Sequence, residues 1–405
     1  MQIRPILSAL GRHRLAAALI VLEIALACAV LCNAFFLIAG RLDLMRIHSG
    51  IDERALALVA LRGCDGCANA DVNARALAAL RAIPGVRAAG AVNTVPFGQP
   101  ASNAGICRDK ECKDVAGVPH VYLVGPGAIE AFGLRPLRGQ GFTAGDFQRI
   151  DGWYPRDSRV WLTQVLADHL WPGQDPLGRE FWSGDYHFRV AGILAHFARP
   201  DPGRSESGAE SAEWSIIVPV SDDAQSGSFV VSADPLDLPR VMQAARAAVA
   251  RAVPEAVLDQ QQSRALSELR ERYFRSDRAM AWLLVAVIAA MLLVTALGIV
   301  GLASFWVAQR TRQIGIRRAL GATRGDILRY FQLENVLLAS AGIALGMGLA
   351  YAGNLLLMRQ FELARLPLSY LPVGAAVLWA LGQLAVLGPA LRAAAIPPAI
   401  ATRNA

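Results

Sequence analysis

Four stretches of this chain are apolar almost without interruption: Leu15–Ala39, Ala279–Val307, Phe331–Met358 and Leu371–Leu391. A helix needs about 20 residues to cross a hydrocarbon core, so each stretch predicts a membrane span. The first is too long for the apolar part of a cleaved signal peptide, which is about 7–15 residues. Between the first and second spans, Gly40–Asp277 has the character of a soluble domain. Strands are predicted at Ala55–Leu61, Val86–Val92, Val121–Val124, Arg159–Leu162, Phe188–Ile193, Ser215–Val220 and Phe229–Ser232. Helical periodicity marks Asp71–Ile83, Gly127–Phe132, Gln164–Leu170 and Leu238–Val253, and Pro200–Ala212 is a polar loop. The expected fold class is a membrane protein of four transmembrane α-helices, with a large α+β domain inserted between the first and second.

Polar residues inside the spans are few. Glu23 and Glu334 are costly in hydrocarbon and so must face other helices or the interface, where helix–helix bonding is the plain reading. Gly342 and Gly346 have the spacing that lets membrane helices pack closely, within one chain or between two. From Ser263 to Arg310 there is no proline and, before Gly298, no glycine. One unbroken helix of ~45 residues, roughly 68 Å long, is expected there, with residues 263–278 as a stalk that can carry a displacement through the bilayer.

The 405 residues carry a net charge of +7 and a pI near 9.4, with 54% hydrophobic residues. The position of the charge decides its meaning. Arg4, Arg12, Arg14, Arg310, Arg312, Arg317, Arg318, Arg324, Arg329, Arg392 and Arg403 all flank spans on one side of the membrane. Positive charge marks the cytoplasmic side, which puts the inserted domain outside the cytoplasm. Without these and the acidic Glu23, Asp326 and Glu334 in or beside the spans, 29 basic and 30 acidic residues remain, so the partner implied is membrane lipid and not nucleic acid.

Between the second and third spans, Gln309–Ala322 reads Q-R-T-R-Q-I-G-I-R-R-A-L-G-A. Arg310, Arg312, Arg317 and Arg318 with Ile314, Ile316 and Leu320 predict a short amphipathic helix, stopped at Gly321, where a left-handed residue costs least. Thr323 and Asp326 predict a capping box for the next helix, with Asp in place of the usual Glu or Gln. Composition alone would make this an ordinary positively charged loop. The order of its residues resembles the cytoplasmic segment of the FtsX/MacB-like permeases of ABC transporters.

Other pieces resemble the same family. L-E-I-A-L-A in the first span is similar to its first helix, and R-A-A-A-I-P-P-A-I-A-T-R to its ending. Leu77–Val86, Val124–Leu134, Arg138–Phe142, Asp168–Gly178 and Val190–Leu194 resemble, in order, the periplasmic core domain of MacB-like permeases. The resemblance implies a two-lobed periplasmic domain over 40–277, with lobe one about 40–118 and 222–262 and lobe two about 119–221. Residues 1–14 form a cytoplasmic N-terminus, 15–39 the first span, 279–307 the second, and 308–330 the coupling helix and turn. The third span is 331–358, 359–370 is a periplasmic loop, 371–391 the fourth span, and 392–405 a cytoplasmic tail. Location in a bacterial inner membrane follows.

The same resemblance implies that Arg310, Arg312, Ile314, Ile316, Arg317, Arg318, Leu320 and Gly321 couple the chain to a cytoplasmic ABC ATPase subunit. It further implies a second permease copy or a sister permease, a periplasmic adaptor, and a role in export or efflux. Lipoprotein release and FtsX-like control of a cell-wall hydrolase are alternatives within the fold; a membrane-anchored sensor or scaffold without an ATPase is one outside it. The only lysines, Lys110 and Lys113, lack the glycine context of a Walker A loop. The chain is therefore not expected to be an enzyme or to hold a cofactor, and ATP and Mg belong to the partner.

Cys28 and Cys32 share a face of the first span and read as small apolar residues. Cys64, Cys67, Cys107 and Cys112 all fall in the outer domain, where an oxidising compartment favours disulfides. A four-thiolate zinc site is the alternative. The histidines show no metal-ligand spacing, and no nucleophile–base arrangement can be argued.

Overall fold

In the computed structural model the first apolar stretch forms one helix, α1 (Arg14–Met45). The described residues are 14–63, 67–203, 208–224, 227–361 and 366–397. The chain divides into two compact units, Met1–Leu42 with Asp277–Ala405, and Asp43–Ser276.

The outer unit starts with β1 (Leu56–Arg62), α2 (Asn69–Arg81), β2 (Val86–Ala91), β3 (Ile106–Cys107), β4 (Val115–Gly117), β5 (His120–Val124) and α3 (Pro126–Phe132). Next come β6 (Arg138–Gly139), β7 (Asp157–Thr163), α4 (Gln164–Leu170), β8 (Glu180–Ser183), β9 (Tyr186–Leu194) and β10 (Ser215–Pro219). β11 (Ser228–Ala233), α5 (Leu238–Ala252), β12 (Val257–Leu258) and α6 (Leu266–Tyr273) complete it. One sheet is antiparallel, ordered β12-β1-β11-β2. The other is mixed, ordered β4-β3-β8-β9-β7-β10-β5, with β6 beside β9.

β1, β5, β10 and β11 are buried on both faces along most of their length, which is why they read as continuous apolar runs and not as alternation. On β1, Ala57 and Val59 pack against α2 and α5, while Leu56 and Leu58 point into a second core. That second core also takes Tyr122 from β5, Trp161 from β7 and Ile217 from β10, so it joins the two lobes. Val160, Leu162, Ile216 and Val218 face the third core on the far side of the mixed sheet. Gly90 of β2 and Gly127 of α3 let the two elements approach: a Cβ on Gly90 would lie 2.0 Å from Ala128 N, and one on Gly127 2.3 Å from Ala89 O.

Two expectations need correcting. β3 and β4 belong to the mixed sheet through the pairing of Cys107 with Trp182, so lobe two begins between Ala91 and Ile106 and not near Val118. The unbroken helix expected from Ser263 is also interrupted. α6 ends at Phe274 (φ −87°, ψ 9°) and the second span, α7 (Arg275–Gln309), starts afresh. The ring of Phe274 is 3% exposed and packs into the outer core with Phe97, and burying it turns the backbone off the helical path.

Arg199 is 2% exposed and donates to Asp201 (3.3 Å), the carbonyl of Val118 (3.0 Å) and Asn103 Oδ1 (3.3 Å). His120 lies on the same Asn103 oxygen, at 3.1 Å. Burial first and the Arg199 charge second push the His120 pKa down from 6.5 to about 3. The ring is neutral when folded, whereas an unfolded chain takes up a proton below about pH 6.5. The stability this gives is complete above that pH and is lost as pH falls towards 3, by at most roughly a few kcal/mol. His120→Gln is expected to flatten the acid side of the pH–stability curve, read from near-UV circular dichroism of the detergent-solubilised chain; an unchanged acid limb would refute the assignment.

In the membrane unit the spans are α1, α7, α9 (Arg324–Phe361) and α10 (Tyr370–Ala394), with the short α8 (Thr311–Ala319) between α7 and α9. α9 is helical to Phe361, so the loop expected from Arg359 starts later; its residues 362–365 lie outside the described set. α1 is the most enclosed span and α7 the least. A Cβ on Gly342 would lie 2.8 Å from Ile24 Cβ, and one on Gly346 2.5 Å from Ala25 O. The small-residue face of α9 therefore packs on α1 of the same chain. Asn33 adds a bond from α1 to the carbonyl of Ala350 at 3.3 Å.

Candidate coupling segment and the joints around it

The basic segment folds as its residues dictate. α8 runs from Thr311 to Ala319, Gly321 takes φ +102°, and Thr323 and Asp326 bond reciprocally to start α9. The eight residues expected to meet an ATPase do not share one surface. Arg312, Ile316 and Leu320, spaced four apart, are exposed along one side, Ile316 at 45% and Leu320 at 83%. Gly321 is exposed beside them.

Arg310, Ile314 and Arg318 turn inward, and here the reading of all eight as one docking surface is corrected. Ile314 is 5% exposed and packs in the transmembrane core, because the apolar residue opposite the solvent side of a short helix falls on the bundle. Arg310 Nη1 reaches both carboxylate oxygens of Glu334 at 3.1 Å, with the side chains 13% and 2% exposed. Its guanidinium also lies 5.7 Å from the Trp306 ring centre. Arg318 donates to the carbonyls of Ala394 (3.1 Å) and Ile396 (2.6 Å), tying α8 to the end of α10. Arg317 is exposed but stacks over Tyr330 of α9 at 5.1 Å. Three arginines thus bind α8 to its neighbours.

Glu23 is half-buried and faces α7 at Gly298: a Cβ there would lie 2.7 Å from Oε2 and 2.8 Å from Oε1. The first glycine of that long apolar run makes room for the carboxylate. At the outer ends of the same two helices, Arg41 pairs with Asp277 at 2.6 Å.

A joint that sequence reasoning missed lies where the chain enters and leaves the outer unit. Arg270 of α6 donates to Glu53 (2.6 Å) and to the carbonyls of Met45 (2.8 Å) and Ile47 (2.6 Å). Its guanidinium also covers Phe97 at 4.8 Å and Phe274 at 5.8 Å. Phe97 holds φ +62°, rare for a bulky side chain, and is 4% exposed. Nothing in a run of charged residues distinguished Arg270 from Arg272 or Arg275. Beside the joint is an open cleft of about 970 Å³, lined among others by Arg46, His48, Glu53, His196 and Arg270.

Cys107 and Cys112 form a disulfide and Cys67 is disulfide-bonded as well, while Cys64 lies outside the described residues. Cys28 and Cys32 are free and buried. Among the described residues no group of three or more His, Cys, Asp or Glu is placed to hold a metal.

Residues 17–249 match the MacB-like periplasmic core domain, and residues 285–398 match the FtsX-like permease C-terminal domain. The chain is 32% identical over 205 residues to the pyoverdine export ATP-binding/permease protein PvdT of Pseudomonas entomophila, covering 48% of this chain and 30% of that protein. It is 28% identical over 254 residues to the macrolide export ATP-binding/permease protein MacB of Rhodospirillum rubrum, covering 59% and 37%. With the uncharacterized ABC transporter permease YknZ of Bacillus subtilis it shares 27% over 243 residues, covering 57% and 56%. The matched part spans between about a third and a half of these relatives. With one family model spanning more than half of the residues and a second most of the remainder, the chain belongs to the ABC-transporter permeases that join a MacB-like periplasmic core domain to an FtsX-like permease domain, multi-pass proteins of the inner membrane.

Proposed function

We propose that this chain is the permease subunit of a MacB-type transporter, which passes ATP-driven motion from an ATPase subunit to the periplasmic domain and so drives export. The observation that carries the reading is the row Arg312, Ile316 and Leu320, exposed on a helix whose other side is fixed to α9 and α10. A cation between two apolar side chains suits a groove on a partner, and the fixed side means that force on the row moves the spans. ATP and Mg2+ act on the ATPase, which these 405 residues do not contain. A second permease copy packs along the lipid-exposed α7, and an adaptor continues the path beyond the inner membrane. Export is favoured by the names of the relatives, which are exporters of pyoverdine and of macrolides.

The test is a double variant on the exposed row, Arg312→Glu with Leu320→Glu. Each lost anchor is worth about 2 kcal/mol at a docking site. Retention of the co-expressed ATPase on the tagged permease should fall by at least about tenfold, with thermal stability of the permease unchanged. Full retention would show that docking lies elsewhere. If the unaltered chain holds no ATPase in mild detergent, the scaffold reading replaces this one.

A further inference from the structure

We propose that a small cavity between the four spans binds one water molecule, which hydrates the buried Arg310–Glu334 pair. The cavity measures about 20 Å³ and is lined by Ile20 of α1, Ile299 and Trp306 of α7, Glu334 and Asn335 of α9, and Val386 of α10. A water needs about 10–15 Å³ on this measure and two to four polar partners. A purely apolar hole of this size stays dry, and this one is not apolar.

Two donors supply the second argument. Trp306 Nε1–H and Asn335 Nδ2–H are buried and have no acceptor in the protein, on residues each 5% exposed. Both line the cavity, along with Glu334, which is 2% exposed. A water accepts from the indole and the amide, so both orphaned donors are met at once, and it has its own protons to give to the carboxylate. A larger ligand does not fit. A cation is disfavoured by two orphaned donors in the lining, and an anion by the Glu334 carboxylate.

The use of the site rests on the proposed coupling role. Arg310 stands at the start of α8, so movement of that helix pulls the guanidinium away from Glu334. A water already on the carboxylate keeps it hydrogen-bonded as Arg310 withdraws. The ion pair can then open with a hydrogen-bond donor to the carboxylate already in place.

Millisecond X-ray hydroxyl-radical labelling of the full chain in nanodiscs, read by mass spectrometry, tests the site without any ATPase or transport. Radicals form from bound water, so buried side chains beside one are labelled. Trp306 should be hydroxylated at least about tenfold faster than Trp282, which is 72% exposed on the apolar stretch of α7. The label at Trp306 should fall by a similar factor in Asn335→Leu, which removes one partner. It should also fall in Gly382→Ala, whose Cβ would come 3.0 Å from Asn335 Nδ2 and press the amide into the cavity. If Asn335→Leu unfolds the bundle, Gly382→Ala carries the comparison. An unlabelled Trp306 beside a labelled Trp153 of the outer domain overturns the proposal, as does labelling that Gly382→Ala leaves unchanged. Because the readout is independent of the ATPase, its failure leaves the docking result standing, and the reverse holds too.

Discussion

Arg310→Met is expected to lower the stability of the transmembrane unit by about 3–5 kcal/mol, since it leaves the Glu334 carboxylate, 2% exposed, without its cation. The loss comes from the charge left behind more than from the bond removed. Pairing the change with Glu334→Leu should therefore recover most of it, because an apolar pair of similar volume suits this surrounding. Thermal unfolding of the two single variants and the double in one detergent gives the coupling directly. A double variant as unstable as the sum of the singles would mean that the two side chains do not depend on each other.

Gly346→Val is the second large effect. The added Cβ would lie 2.5 Å from Ala25 O and 2.5 Å from Cys28 Cβ of α1, and a backbone carbonyl cannot rotate away. α1 has to shift, and it is the span that the other helices enclose. A cost of about 3 kcal/mol or more is expected, at the upper end of overpacking. Gly348→Val is the control: nothing lies within 4 Å of its added Cβ. Equal midpoints for the two variants in a detergent melt would remove the α1–α9 contact from the account.

The membrane fold and its α+β insert were legible because lipid leaves little choice: a long apolar run must be helical, and charge marks the side on which it ends. The basic segment was legible as a helix with its turn, because Gly321, Thr323 and Asp326 have local meanings. Its partition was not. Arginines at 310, 312, 317 and 318 look alike along a sequence, and only the positions of Glu334, Tyr330 and the end of α10 separate the three with partners inside the chain from Arg312. The break at Phe274 was missed for the same kind of reason. No proline or glycine marks it, and the cause is a distant ring, Phe97, reached only through the fold. β3 and β6 have two residues each, too few for periodicity to register.

That interruption has a mechanical corollary. If the proposed coupling role holds, a helix interrupted at Phe274 is a poor carrier of roll about its own length, because one non-helical residue stands between α6 and α7. Axial pull would instead load α6 and, through Arg270, the carbonyls of Met45 and Ile47 and the Glu53 carboxylate. Under the proposed coupling role, sliding and not spinning is the signal expected on the far side.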